Sequence, residues 1–354
     1  MGRRRLLTAA VAAAGIATSL LAVPARFVVE GVSMSPGLMP GDVATTTVFP
    51  ALDRFRRPRR FDRWVIRAVD GQALKRVVGL PGEDVGIDRG DLTIDGRTVL
   101  KSPTVLATVG VLLPDAPATT GDGAAWLWSF PPREVLDDDG GAEPRSRTLE
   151  AVRDVGVVAV VAVSRLGADG SVRVQARLGT TVMPWRLTAV SRHAIVAGRL
   201  DGCIVAASWR LPGGRSWDDD AARGCLPPGG PACWEVADPW PTADTGDASP
   251  ALVVGCDAAG GWCTVERIAV WRDGLLRTAA NGRDRWRIGP DEVFVLGDFS
   301  GGSTDSRHWG PLRTTTLEHR IDRVRSPSGT ASAAVPASHS SDSGTRGSRP
   351  SQTR

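Results

Sequence analysis

Apolar and polar residues alternate in short runs along most of the chain, and a glycine or a polar turn pair closes many of these runs. Alternation with a period of two is typical of β-strands that bury one face. The Asp95-Gly96 pair after one such run is a hairpin signal. Helical periodicity is scarce beyond the first segment of the chain. The pattern therefore predicts a mostly β protein, with its clearest strands at 73–78, 91–94, 155–163, 171–178, 203–210 and 264–271.

One apolar stretch is long enough to cross a membrane. Residues 6–23 carry no charge and directly follow Arg3, Arg4 and Arg5. A helix of this length spans about 27 Å, which is the lower limit for a bilayer-spanning segment. The arginines place the amino terminus on the cytoplasmic side. A cleavable secretory signal ending near Ala25 is the alternative, and both interpretations place the rest of the chain outside the cytoplasm.

The net charge of +4 comes from the two ends of the chain. Residues 1–25 carry +3 and residues 326–354 carry +2, so the 300 residues between them carry −1. Nucleic-acid binding needs a concentrated basic surface, so no nucleic-acid partner is expected. The last segment consists mainly of Ser, Thr, Ala, Gly and Pro, and it is expected to be disordered.

All five cysteines lie in one segment in the second half of the chain. In an exported domain this clustering favours disulfides. Pairing between near neighbours joins Cys225 to Cys233. It also joins Cys256 to Cys263 and leaves Cys203 over, while the other connectivities stay open.

No metal and no organic cofactor is expected. Residues 203–263, which hold the cysteines, contain no histidine and none of the usual zinc-ligand spacings. The acidic triplets 137–139 and 218–220 lack the alternating ligands and closing glutamate of a calcium loop.

Two stretches carry residues suited to nucleophilic catalysis. Of the 43 basic residues only Lys75 and Lys101 are lysines, and a buried lysine can lose its proton whereas an arginine cannot. Lys75 lies in an apolar predicted strand, where burial favours the neutral amine. Ser33 lies in a loop containing Gly and Pro, which can expose a hydroxyl and direct N–H groups at an oxyanion. Together they suit a serine–lysine dyad.

Three motifs, in this order along the chain, resemble those of the bacterial type I signal peptidases. Residues 33–38 match S-M-x-P-x-L, and residues 75–83 match K-R-V-x-G-L-P-G-[DE]. Residues 297–310 match G-D-x-x-x-x-S-x-D-S-R-x-x-G. The resemblance implies an antiparallel β catalytic core. It also implies a membrane-bound serine endopeptidase that removes signal peptides from exported precursors through an acyl-enzyme.

The resemblance also implies a role for each matching residue. Ser33 is expected to be the nucleophile and Lys75 the general base, with Ser303 orienting the lysine. Gly31 and Met34 are expected beside the oxyanion or the substrate. Gly31 stands where many members have a second serine.

Other positions in the motifs are implied to be structural or depart from the family pattern. Asp305 and Arg307 resemble a scaffold ion pair that holds the last motif. Gly37 replaces the usual Thr or Ser, and Phe299 replaces the usual Asn. Ser35 lies close to the nucleophile but is outside the expected dyad.

The expected organisation has five parts. They are a cytoplasmic start and transmembrane anchor (1–25), the first part of the catalytic core (26–103), a β-rich insertion (104–280), the last part of the core (281–325) and a disordered tail (326–354).

We expect a monomer in the cell membrane whose partners are signal-peptide-bearing precursors and membrane lipids. The alternatives are a catalytically inactive anchored extracytoplasmic binding protein of the same fold and a conjugation-type peptidase. Lys101→Arg is expected to be silent, which would make it a control for Lys75→Arg.

Overall fold

The structure is a computed structural model. It describes residues 23–46, 53, 55–68, 71–113, 118–120, 126–129, 151–178, 181–211, 226–227, 231, 233–234, 236–239, 251–257 and 261–326. Apart from residue 23, the predicted anchor at 6–23 lies outside these ranges, and so does the predicted tail beyond residue 326. Within the described ranges, no helix has the length and apolar character needed to cross a membrane.

Antiparallel β-strands make up most of the described chain, so the predicted β class is confirmed. The strands, in chain order, are β1 (Arg26–Val28), β2 (Val43–Thr46), β3 (Arg63–Ala68), β4 (Gly71–Gly79), β5 (Asp84–Asp88), β6 (Asp91–Ile94), β7 (Arg97–Thr98), β8 (Val111–Leu112), β9 (Ala118–Thr120), β10 (Trp126–Ser129), β11 (Val155–Arg165), β12 (Val172–Leu178), β13 (Thr181–Leu187), β14 (Arg192–Leu200), β15 (Cys203–Arg210), β16 (Val236–Pro239), β17 (Ala251–Asp257), β18 (Trp262–Arg272), β19 (Arg285–Arg287), β20 (Glu292–Leu296), β21 (Leu312–Arg313) and β22 (Leu317–Arg325).

Helical structure in the described ranges is short. The α-helices are α1 (Pro103–Val109) and α2 (Ser306–Trp309), and 3-10 turns occur at Ser300–Gly302 and Thr314–Thr316. The sequence pattern did not predict α1, because seven residues are too few to show a helical period. Ser102 caps this helix by accepting a hydrogen bond from the Val105 N–H, and Pro103 occupies its first turn.

The strands form two groups of sheets. We call the seven-stranded sheet (β1-β2-β22-β3-β4-β20-β21) and the four-stranded sheet (β19-β5-β6-β7) the terminal sheets, because their strands come from the two ends of the described chain. We call the six-stranded sheet (β16-β15-β14-β11-β18-β8) and the five-stranded sheet (β13-β12-β17-β10-β9) the middle sheets.

The terminal sheets enclose compact apolar cores beside β4. One core packs Trp64, Ile66 and Val77 against Val293 and Val295, all fully buried. Strand β4 runs antiparallel to β3 on one side and to β20 on the other. A side chain in the second half of β4 is therefore removed from solvent by both neighbouring strands.

The middle sheets have a separate core. Strand β11 is buried along most of its length and pairs with both β14 and β18. Its alternate residues divide between two apolar clusters, because successive side chains point to opposite faces. The apolar run at 155–163 is thus a central strand covered on both faces, as its composition predicts.

The other predicted strands and the hairpin are also confirmed. Each predicted run coincides with a strand to within two residues at either end, and the differences of two residues occur in β4, β11 and β18. Asp95 and Gly96 connect β6 to β7 with φ angles of 51° and 76°. Two consecutive positive φ angles are the requirement of the tight hairpin turns that favour Asp-Gly.

One predicted disulfide is wrong. Cys233 is an exposed free thiol, so the local pairing with Cys225 is not formed. Cys263 is disulfide-bonded, and the pairing with Cys256 stays a prediction because its partner is not among the described side chains. Nearness in sequence does not by itself bring two Cβ atoms to the separation of about 3.8 Å that a disulfide needs.

Candidate active site

Ser33 lies on the loop that follows β1, and buried apolar side chains hold this loop. Met34 and Leu38 are 1% and 0% exposed, and they pack in one cluster with Val29 and Ala44. The Leu38 N–H donates to the Met34 carbonyl at 2.9 Å, which closes a turn between the two buried side chains. Ser33 itself is half-buried. The loop is therefore fixed while its first serine stays accessible.

The packing of α1 explains a departure from the family motif. Gly37 stands where Thr or Ser is usual, and a Cβ at this position would lie 2.2 Å from the Thr108 carbonyl oxygen. Real Cβ atoms essentially never lie this close to a backbone atom. The side chain of Thr108 also accepts a hydrogen bond from Arg76 at 3.1 Å. Glycine at 37 lets the serine loop and α1 pack together.

Lys75 lies in β4 and is 4% exposed. Its Nζ is 3.0 Å from the Ser33 Oγ and 3.2 Å from the Ser303 Oγ. Ser33 lies 42 positions before Lys75 in the sequence and Ser303 lies 228 positions after it, and the structure brings all three together. Each distance is within the range of a hydrogen bond.

Burial lowers the pKa of Lys75 below the ordinary value of 10.5. The carboxylates of Asp305 and Asp298 act in the opposite direction, but they do not outweigh the loss of hydration. The hydrogen-bonding groups at Nζ are neutral hydroxyls, which stabilise an ammonium less than a carboxylate does. The environment therefore favours an amine that loses its proton more readily than a free lysine.

Ser303 reaches Lys75 because Gly297 leaves room for it. A Cβ on Gly297 would lie 2.2 Å from the Ser303 Oγ and 2.4 Å from the Ser33 carbonyl oxygen. The Phe299 N–H donates to that same carbonyl at 3.1 Å. The segment after β20 is thus joined directly to the loop that carries Ser33.

Asp305 and Arg307 form a buried bidentate ion pair behind Ser303. Two guanidinium nitrogens of Arg307 each lie 2.8 Å from a carboxylate oxygen of Asp305. Burial alone would raise the pKa of Asp305, but hydrogen bonds from Arg307, Gly297 and Ser303 outweigh it and lower that pKa. Ser303 thus stands beside this ion pair, and its Oγ accepts a hydrogen bond from the Lys75 Nζ.

A second buried ion pair was not recognised in the sequence. Arg76 follows the candidate base, and Asp298 follows Gly297, so both lie inside the matched motifs. Two nitrogens of Arg76 contact the two oxygens of Asp298 at 2.6 Å each, and the side chains are 5% and 2% exposed. The signal that could have revealed it is the presence of opposite charges at equivalent ends of two motifs.

The backbone beside Ser33 is available for an oxyanion. Among the described residues, none accepts a hydrogen bond from the Ser33 N–H. Gly31 is exposed, and a Cβ there would meet nothing within 4 Å. The side chain of Met34 is 1% exposed and packs in the core, so the expected role of Met34 stays a prediction that only its backbone could fulfil.

Lys101 has a different environment from the one expected of a control residue. It is 5% exposed, and its Nζ contacts the carboxylates of Asp201 and Asp273. Burial alone would lower the pKa of Lys101, but these two carboxylates outweigh it and raise that pKa. Because Lys101 bridges two buried carboxylates, Lys101→Arg serves as a control for Lys75→Arg only together with a measurement of stability.

Comparison with known proteins supports the resemblance found in the motifs. Residues 3–109 match the family model described as signal peptidase, peptidase S26. This stretch contains the serine and lysine motifs, and the resemblance to type I signal peptidases is thereby confirmed.

One similar protein is Signal peptidase I V of Bacillus subtilis (strain 168). It is 33% identical to this chain over 93 residues, which make up 24% of this chain and 54% of the relative. The chain thus spans about half the length of this curated relative.

Proposed function

We propose that the protein is a membrane-bound endopeptidase that removes signal peptides from exported precursor proteins. The observation that carries the proposal is the 3.0 Å distance between the Lys75 Nζ and the Ser33 Oγ. A hydroxyl needs a base within hydrogen-bonding reach to become a nucleophile at moderate pH. The match of this stretch to the signal peptidase family supports the choice of substrate.

In the proposed acylation, Ser33 attacks the scissile carbonyl carbon while the neutral amine of Lys75 takes its proton. The tetrahedral oxyanion receives a hydrogen bond from the Ser33 N–H. Lys75 then gives the proton to the departing amine of the mature protein. The peptide bond is broken, and the carboxyl end of the signal peptide remains as an ester on Ser33.

Deacylation reuses the same base. Lys75 accepts a proton from a water molecule, the hydroxide attacks the ester, and the proton returns to the Ser33 oxygen as the signal peptide leaves. Ser303 holds the amine in position through its 3.2 Å contact, and Asp305 orients the Ser303 hydroxyl. No step requires a metal or a cofactor.

The proposed substrate carries small residues one and three positions before the cleaved bond. Membrane association is part of the proposal, since the apolar segment at 6–23 would keep Ser33 close to the bilayer. The catalytic part then faces the extracytoplasmic side, where precursors emerge.

The test is cleavage of a model precursor by the full chain in detergent, followed by amino-terminal sequencing of the product. We expect a single new amino terminus after a small residue. Ser33→Ala and Lys75→Ala should each reduce cleavage by roughly a thousandfold or more, as loss of a catalytic nucleophile or base does.

Ser35→Ala is the matched control. Ser35 lies in the same loop, and its buried hydroxyl has no hydrogen-bond partner among the described atoms. This variant should therefore cleave at the rate of the unmodified protein. If the unmodified protein binds precursor but does not cleave it, the protein is an inactive anchored binding protein of the same fold. Cleavage confined to one specialised substrate would instead indicate a conjugation-type peptidase.

A further inference from the structure

Four buried or half-buried aspartates meet outside the candidate active site, where the middle sheets join the terminal sheets. Asp91 begins β6, Asp154 precedes β11, Asp201 lies between β14 and β15, and Asp273 follows β18. Each offers a carboxylate oxygen, and these oxygens all lie within 4.8 Å of one another. Asp154 directly precedes β11 and Asp273 directly follows β18, and these two strands pair antiparallel. The cluster therefore lies at one end of this pair of strands.

One oxygen in the cluster lacks a partner. Asp273 is 2% exposed, and its Oδ2 accepts a hydrogen bond from Lys101 at 2.7 Å. Its Oδ1 is buried and has no hydrogen-bond partner among the described atoms. Asp273 also lines an open cleft together with Asp91 and Asp154. A buried carboxylate oxygen without a partner costs free energy unless a ligand from the cleft completes it.

Among the described residues, fewer cations than carboxylates are in contact with the cluster. Lys101 contacts Asp201 and Asp273, and Arg199 lies 3.8 Å from Asp154. These two positive charges face four carboxylates.

The number of carboxylates selects among cations. Carboxylate oxygens are ligands for hard divalent ions, and four of them lie within 4.8 Å of one another here. Ca²⁺ accepts six to eight oxygen ligands in flexible geometry, whereas Mg²⁺ keeps several waters and is usually bound through one or two carboxylates. A cluster of four carboxylates therefore suits Ca²⁺ better than Mg²⁺.

We propose that Asp91, Asp154, Asp201 and Asp273 form a site for a hard divalent cation, preferably Ca²⁺, that fastens the middle sheets to the terminal sheets. Asp91 contributes from a terminal sheet, and the other three come from the middle segment. The Asp273 Oδ1, which has no hydrogen-bond partner among the described atoms, supplies one ligand oxygen. The site is separate from Ser33 and Lys75, so the proposal does not depend on the proposed function.

The test uses the full chain in detergent, prepared with a chelator and then dialysed free of it. Extracellular calcium sites bind at about 0.1–1 mM, so CaCl₂ is titrated to about 10 mM while calorimetry and the thermal midpoint are followed. We expect saturable binding of one Ca²⁺ and a rise in the midpoint. MgCl₂ at the same concentrations should produce a much smaller rise.

Asp91→Asn is the decisive variant, because this half-buried side chain can change without breaking a described hydrogen bond. It should weaken Ca²⁺ binding by roughly tenfold or more, as loss of a charged ligand does. Asp88→Asn is the matched control, since Asp88 lines the same cleft but lies outside the cluster. It should bind Ca²⁺ like the unmodified protein.

Several outcomes would overturn the proposal. Absence of Ca²⁺ binding by the unmodified protein would mean that the carboxylates are balanced by side chains such as Lys101 and Arg199. Equal weakening by Asp88→Asn and Asp91→Asn would show a diffuse charge effect instead of ligation. An equal response to Mg²⁺ would refute the preference for Ca²⁺. Precursor cleavage is not measured, so failure here leaves the peptidase proposal untouched.

Discussion

The two lysines of this chain show that burial alone does not decide the charge of a side chain. Both amines are almost fully buried. Lys75 contacts two hydroxyls, and its pKa is lowered, whereas Lys101 contacts two carboxylates, and its pKa is raised. The sequence identified both as unusual among arginines. The identity of the atoms packed against each amine, which only folding determines, separates a candidate base from a structural cation.

Cleavage should depend on the proton of Lys75. Because the reaction needs the neutral amine and burial lowers the pKa of Lys75, kcat/KM should rise with pH to a plateau whose midpoint lies below 10.5. Below that midpoint the rate should fall about tenfold per pH unit. The measurement is a pH–rate profile with a peptide substrate, and Ser35→Ala should reproduce its midpoint.

Asp305→Asn should shift this profile in a defined direction. The Asp305 carboxylate raises the pKa of Lys75, and Arg307 lowers it. Removing the carboxylate charge leaves Arg307 unneutralised, so the midpoint should move to lower pH. A profile that does not move would show that another group controls the rate. The thermal midpoint, followed in parallel, separates this effect from partial unfolding.

At the scale of elements, the segment after β20 is held against the serine loop by very close packing. Gly297→Ala should reduce cleavage by roughly a hundredfold. Its Cβ would displace Ser303 or the Ser33 carbonyl, and a misplacement of catalytic groups by about 1 Å lowers the rate by about this factor. Ser35→Ala, in the serine loop itself, is the control, since its hydroxyl has no hydrogen-bond partner among the described atoms. Similar rates for the two variants would contradict the role of this approach.

The buried pair between Arg76 and Asp298 should stabilise the junction of β4 and β20. Asp298→Ala leaves a buried guanidinium uncompensated, so the free energy of unfolding should fall by about 3–5 kcal/mol. Glu318→Ala removes a pair with the largely exposed Arg67 and should cost about 1 kcal/mol or less. Denaturant unfolding of both variants tests the difference. Equal losses would mean that burial of the first pair contributes nothing.

For the whole molecule, the main question is how two groups of sheets from interleaved parts of the chain stay together. Lys101 lies just before α1 and contacts Asp201 and Asp273 of the middle segment, so it bridges the two groups. Trp234 reinforces this junction by donating to the Lys101 carbonyl at 2.7 Å. The domain boundaries at 103 and 280 stay a prediction.

Lys101→Met should therefore destabilise the junction. It leaves two buried carboxylates without their cation, so the free energy of unfolding should fall by about 3–5 kcal/mol. Hydrogen exchange should increase first in the strands next to Asp201 and Asp273. Arg192→Met, at an exposed pair with Glu266, is the control and should change little. Unchanged exchange around Asp273 would show that the junction does not need the lysine.

The sequence by itself determined the β class, the positions of the main strands, the Asp95-Gly96 hairpin and the resemblance to signal peptidases. These properties depend on local alternation or on contiguous motifs, so a single stretch of residues is enough to reveal them. Only the tertiary structure decided which distant groups touch, because contacts across a sheet depend on strand order and register. The approach of Lys75 to Ser303 and the meeting of four separate aspartates around Lys101 are of this second kind.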